Sequence, residues 1–217
     1  MLPEDGDPEV FRPEDYGALK ALCEQAAEEA MPNRVLQVRS GLIVGPFDPT
    51  NRFTYWPVRV SQGGDMLAPA RPDLPIQFID ARDQANWILD MLEAKQRGTF
   101  NLTSPSQAYM LSDLIESSAR VAGVEINPIW VDDTFLIEQD VAPWMGLPLW
   151  LPEDMINMSR VNVVKAMDNG LHLRPLDEIV SDTLEWYRSL AEQEWPAGIT
   201  SEKEKDVLDK WELKNSI

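Results

Sequence analysis

Tyr16 and Lys20 stand four residues apart in the segment Tyr-Gly-Ala-Leu-Lys, and a helix there places a phenol and an ammonium on one face. An ammonium beside a phenol favours the phenolate. Such a pair can give or take a proton near neutrality, which suits interconversion of an alcohol and a ketone. Tyr-x-x-x-Lys fixes only two positions, however, and short patterns of this kind recur by chance. What distinguishes a working pair is the set of elements that hold it in place.

Leu19, Leu22, Ala26 and Ala30 recur at helical spacing and predict a helix from Tyr16 to near Pro32. The run Arg34 to Val44, with Val35, Leu36, Val38, Leu42, Ile43 and Val44, reads as a buried strand leading into Gly45-Pro46-Phe47. Open α/β sheets bind ligands in a loop at the carboxyl end of a strand, and this order of helix, strand and loop supplies one.

Four stretches in this order, Tyr16 to Lys20, Arg39-Ser-Gly-Leu-Ile-Val-Gly-Pro-Phe47, Phe78-Ile-Asp-Ala-Arg-Asp-Gln-Ala85 and Gly98-Thr-Phe-Asn-Leu102, resemble the extended short-chain dehydrogenase/reductases, also called the NAD-dependent epimerase/dehydratase family. The resemblance covers residues 15 to 190 and is to the second half of such an enzyme. It implies an α/β fold, part of a Rossmann-like parallel sheet, with a small α+β substrate lobe. It also implies that Tyr16 is the catalytic acid/base, that Lys20 favours its deprotonated form and binds the nicotinamide ribose, and that backbone at Leu42 and Ile43 lies near the nicotinamide of NAD or NADP. Members acting on nucleotide sugars use an arginine just upstream of the Phe78-Ile79 strand to bind the diphosphate. Here that position is Ile76, which cannot, and Leu42 stands where the sugar epimerases have asparagine. A small carbonyl or hydroxyl substrate is favoured accordingly.

In that family the glycine-rich phosphate loop precedes the tyrosine, yet only fifteen residues precede Tyr16, and none of the eleven glycines forms a Gly-x-Gly-x-x-Gly array. Nothing in the sequence supplies the close backbone approach that binds pyrophosphate. The expectation is a truncated product beginning at an internal methionine, with an acidic opening Met1 to Asp7, whose own binding of cofactor is doubtful. A complementing N-terminal polypeptide or a homodimer would restore a site, since loss of the first half would leave the Val35 to Val38 strand edge and one face of the Tyr16 helix open. The alternative from another class is a catalytically silent fragment that serves as a substrate-binding or oligomerisation module.

The 217 residues carry 37 acidic against 19 basic side chains, a net charge of -18. Phosphate backbones need clustered lysine and arginine, so nucleic acid is not an expected partner. No stretch approaches the roughly 18 apolar residues of a membrane span, and a cytoplasmic protein is expected. The single histidine, His172, excludes a multi-histidine metal site and reads as structural, so no metal is expected. The single cysteine, Cys23, has no internal partner and reads as a packed or half-exposed thiol.

Asn51 to Gln62 predicts a helix ended by Gly63-Gly64, and Arg52, Trp56 and Arg59 on it are candidates for substrate contact. Their other reading is two surface charges and a core tryptophan. Ile76 to Ile79 predicts a strand. Asp80 or Asp83 caps the following helix to Lys95, with Ala85, Ile88, Leu89 and Leu92 as its apolar face. Thr99 to Leu102 is a further strand, Ser112-Asp113 opens another helix, and Ile126 to Val131 reads as a strand of the lobe. Trp144 and Trp150, in a proline-rich stretch, either line a pocket or pack the lobe. Helices are expected over Arg160 to Asn169 and Leu176 to Leu190. Residues 1 to 190 thus form the main domain, and 191 to 217 a charged, solvated helix or frayed tail. No internal repeat is evident.

Overall fold

A computed structural model describes residues 15–191 and 197–216; the acidic opening Met1 to Asp7 lies outside them. The fold is α/β and its strands associate mainly in parallel pairs. Helix α1 (Tyr16–Ala30) precedes β1 (Leu36–Ser40) and β2 (Leu42–Val44), one run of chain divided at Gly41. The two halves serve different partners. β1 pairs with β6 (Gly98–Leu102), Leu36 opposite Gly98 and Ser40 opposite Leu102, while β2 pairs with β5 (Phe78–Asp80). The Gly41 N–H donates to Leu102 O at 2.8 Å and the Ser104 N–H to Phe78 O at 2.9 Å, stitching the pairs together. Glycine is required at the break, since a Cβ at Gly41 would lie 2.7 Å from Thr103 Cβ.

A further parallel pair joins β3 (Gly64–Pro69) to β8 (Ile126–Val131), and a short antiparallel pair joins β4 (Pro75–Ile76) to β7 (Tyr109–Met110). Around them lie α2 (Tyr55–Val60), α3 (Ala81–Glu93), α4 (Leu111–Ala122), α5 (Asp133–Glu138), α6 (Val164–Asp168), α7 (Leu176–Ser189) and α8 (Ser201–Asn215). The larger core gathers Phe53, Trp56, Met66, Leu67, Phe78, Leu111, Leu114 and Trp150. A second, between α3, β6 and α6, holds Ile79, Trp87, Met91, Phe100, Leu102, Ala166 and Leu171.

Several expectations change. The apolar face of α3 is rotated from the one predicted: Asp83, Trp87 and Met91 are buried, whereas Leu89 and Leu92 are 59% and 55% exposed. Trp87 sets this rotation by packing edge-on against Phe100 and donating from Nε1 to Asn169 O at 3.0 Å. The cap of α3 is Asp80, which accepts from the Arg82 N–H at 2.8 Å. Asp83 instead accepts from the Arg174 backbone N–H and Nε, both at 2.9 Å. Asp113 does serve the start of α4, accepting from the Met110 N–H at 2.7 Å.

The helix expected from Asn51 begins only at Tyr55. Asn51 itself has a left-handed backbone, φ 53°, which belongs to a turn. The helix expected over Arg160 to Asn169 shrinks to Val164–Asp168, because side chains take the backbone groups that would have started it. Gln77 Oε1 accepts from the Val161 N–H at 2.7 Å, and Asn162 Oδ1 from the Val164 N–H at 2.9 Å. The C-terminal stretch is a helix, as expected, but not merely solvated: Glu204 and Val207 are buried, with Glu204 reaching the backbone of β3. None of the residues of α1 is buried, and its stripe of Leu22, Ala26 and Ala30 faces solvent. Among the described residues, β1 has β6 as its one strand partner.

Candidate active site

Tyr16 and Lys20 occupy the first turns of α1, and β1 continues into β2 beneath the same helix. One cavity of about 580 Å³ is lined by both of these side chains together with Cys23, Glu24, Gln37, Arg39 and Ile43. Tyr16 is 59% exposed, so its phenol is open to solvent and to a ligand.

Two contacts to the strand hold α1 over this space. Arg39 donates from Nη2 to Glu24 Oε2 at 2.6 Å and from Nε to Glu24 Oε1 at 2.8 Å, a fork-to-fork arrangement. Gln37 Nε2 donates to Glu24 O at 3.0 Å. The Arg39 guanidinium lowers the Glu24 carboxyl below its ordinary range, and Glu24 in turn raises the Arg39 guanidinium. Glu24 and Arg39 were not singled out in the sequence, although Glu24 lies one helical turn beyond Lys20, where a carboxylate meets an ammonium.

Ile43 reaches the cavity and Leu42 does not. Successive strand residues point to opposite faces; Leu42 packs against the larger core, and Ile43 is exposed on the cavity side. The backbone of both lies within β2, Leu42 opening the strand and Ile43 at its middle. Beyond it, Gly45 (φ 111°) lies against the buried Asp80, where a Cβ would come within 3.1 Å of Oδ2, so the turn needs glycine. Phe47, with φ 70°, then projects into solvent and packs on Trp186 with ring centroids 5.7 Å apart.

The candidates for substrate contact are scattered. Trp56 is 0% exposed and donates from Nε1 to Pro148 O at 2.8 Å, so its ring is a core element. Arg59 is held by Glu204 at 2.6 Å and donates to Gly63 O and Asp65 O. Arg52 lies over the Trp144 ring, 5.5 Å from its centroid. Trp150 is buried and donates to Asp133 Oδ1 at 2.8 Å, while Trp144 is half-buried. Cys23 is exposed, not packed. His172 is also exposed and borders a cleft of about 330 Å³ with Asp83, Trp87, Asp90 and Arg174. Among the described residues, no three His, Cys, Asp or Glu side chains are grouped to hold a metal ion, and no helix is long and apolar enough to cross a membrane.

No protein-family model and no curated protein matches the sequence. Solved structures match the fold. RMD from Pseudomonas aeruginosa complexed with NADPH is 17% identical with a TM-score of 0.56, over 87% of this chain and 60% of that one. WbmH from Bordetella bronchiseptica in complex with NAD+ is 13% identical with a TM-score of 0.57, over 85% and 56%. UDP-N-acetylglucosamine 4-epimerase from Bacillus cereus is 14% identical with a TM-score of 0.57, over 89% and 63%. The chain therefore has the fold of part of these NAD-dependent epimerase/dehydratase structures, and it spans less than two thirds of their length.

Proposed function

We propose that this chain carries the proton-transfer side of an NAD(P)-dependent reductase or epimerase site acting on a small carbonyl or hydroxyl compound. The observation that carries the reading is the single cavity uniting Tyr16 and Lys20 of α1 with β1 and with Ile43 of β2. These residues fit one end of a dinucleotide: Lys20 can donate to a ribose hydroxyl, and the backbone at Leu42 and Ile43 can border the nicotinamide. The pyrophosphate end finds no glycine array in these 217 residues. A complementing N-terminal polypeptide or a second copy of the chain is proposed to supply it.

When bound, the nicotinamide supplies or accepts the hydride. The chain's own task is the proton. Tyr16 Oη gives a proton to the oxygen that becomes a hydroxyl, or takes one from a hydroxyl that becomes a carbonyl. Lys20 lines the same cavity one helical turn further along α1. Ile43 keeps an apolar wall beside the reacting carbon, and the Glu24–Arg39 contact fixes the helix that carries both polar groups.

Titration of the purified chain with NADH and NADPH, followed by nicotinamide fluorescence, tests this. Saturable binding that Lys20→Ala removes is the expected result, alone or with the complementing polypeptide added. Absence of binding at millimolar cofactor in both conditions would refute it. A second reading, a catalytically silent binding or oligomerisation module, is favoured by the lack of any buried residue on α1. Concentration-dependent association in sedimentation equilibrium without cofactor binding would select that reading. A cytoplasmic location belongs to the same proposal.

A further inference from the structure

Arg52 is the exception among the half-buried arginines. Arg59 holds Glu204, Arg71 holds Asp73 and Glu153, Arg82 holds Asp80 and Asp182, and Arg174 holds Asp83 and Glu178. Arg52 meets no carboxylate among the described residues, although the chain has 37 acidic side chains. Its Nε is enclosed without a hydrogen-bond partner. Among the described residues its one hydrogen bond runs from Nη2 to Met145 Sδ at 3.8 Å, and thioether sulfur is a weak acceptor. Asp48, four residues earlier, accepts at Oδ1 from the Thr50 N–H and hydroxyl at 2.8 and 2.7 Å; its buried Oδ2 has no hydrogen-bond partner among the described residues and forms no ion pair with Arg52.

Withdrawing a guanidinium from water without a counter-charge is costly. The Trp144 face recovers part of that cost through cation–π attraction, and leaves Nη1 and the weakly engaged Nη2 to donate to a planar or tetrahedral oxyanion. In a chain with a net charge of -18, an approaching anion is repelled except where a cation has not been neutralised by the protein itself. In chain order Arg52 also sits close behind the candidate site. It follows the loop that leaves the carboxyl end of β2, the strand that delivers Ile43 to the Tyr16 cavity. Trp144 and Met145 face it from a segment distant in sequence.

We propose that Arg52, backed by Trp144, binds an oxyanion of the substrate, so that the compound reduced or epimerised carries a carboxylate or phosphate group. The assignment rests on the reductase or epimerase reading above, but its test needs no nicotinamide. The Trp144 indole N–H resonance, assigned with Trp144→Phe, would be followed in the 217-residue protein. Inorganic phosphate and, separately, acetate would be titrated in at constant ionic strength. A saturable shift is expected, with dissociation weakened about tenfold or more in Arg52→Gln and less in Arg52→Lys. A response to only one anion identifies which oxyanion the site takes. No saturable shift with either anion, or an equal response in Arg52→Gln, overturns the proposal. If Arg52→Gln disturbs the remaining indole resonances, Arg52→Lys carries the comparison, and affinity unchanged from the parent overturns it. Because cofactor is absent throughout, failure of the nicotinamide titration leaves this result readable.

Discussion

Replacing Glu204 should unfasten the C-terminal helix from the body of the fold. Its Oε2 lies 2.6 Å from Arg59 Nε, and its Oε1 accepts from the Leu67 N–H at 2.9 Å. The side chains are only 12% and 6% exposed. Removing one member of a buried pair costs about 3–5 kcal/mol because the other charge stays behind uncompensated. An orphaned backbone N–H adds about 1–3 kcal/mol where the cavity does not admit water. Arg59 keeps its bonds to Gly63 O and Asp65 O, and clefts beside it admit solvent, so the lower part of the combined range applies. Glu204→Ala should lose about 4 kcal/mol, a large share of the roughly 5–15 kcal/mol of a typical domain. Glu204→Gln keeps an acceptor for Leu67 and should lose about 2 kcal/mol. Arg59→Met with Glu204→Leu should cost clearly less than the two single losses summed. Urea unfolding followed by circular dichroism measures each value, and an unchanged slope would show that the unfolded state is the same. A loss below about 1 kcal/mol for Glu204→Ala would refute the reasoning, and would return Arg59 to the group of side chains free to meet a substrate.

On α3, Met91→Ala should cost about 2–5 kcal/mol and Leu89→Glu within about 0.5 kcal/mol of nothing; thermal melts that reversed this order would show that the helix is rotated the other way. Gly41→Ala should lose about 1–3 kcal/mol, since its Cβ would meet Thr103 at 2.7 Å, and unfolding in denaturant reads the loss. Arg120 and then Ser117 hold the Asp177 carboxyl at about 2, below its ordinary 3.8. Its contribution is therefore present above the ordinary value and disappears as pH falls toward 2. The acid-side slope of stability should shrink in Arg120→Gln, with a small effect overall because the pair is solvent-exposed.

The strands were legible because apolar runs bounded by glycine and proline report burial directly, as in Leu36 to Val44 and Ile126 to Val131. Legibility ended where a partner distant in sequence decides the outcome. Glu204 lies in a run of alternating acids and lysines and looks solvated until Arg59, 145 residues away, is placed beside it. Gln77 diverts the backbone at Val161 from 84 residues away, which local propensity cannot register. Trp87 fixes the rotation of α3 by its size and its bond to Asn169, against a stripe of leucines that fits helical periodicity equally well. In the candidate site, the Tyr16 and Lys20 spacing was visible from the start. Strand alternation, applied to Leu42 and Ile43, could have separated the residue that faces the cavity from the one that faces the core.

Helix α1 is only modestly attached to the rest of the fold. With no buried side chain, and with one exposed ion pair and one amide contact to β1, this helix sits near the bottom of the range of local opening free energies. Tyr16 and Lys20 share their cavity with Ile43 only while the helix is seated, so on the proposed reading the competent form is the seated fraction of molecules. The apparent affinity for a ligand spanning that cavity is the intrinsic affinity scaled by that fraction. On the proposed reading, a partner that covered α1 would act as an activator by mass action, tightening binding at a cavity it need not touch.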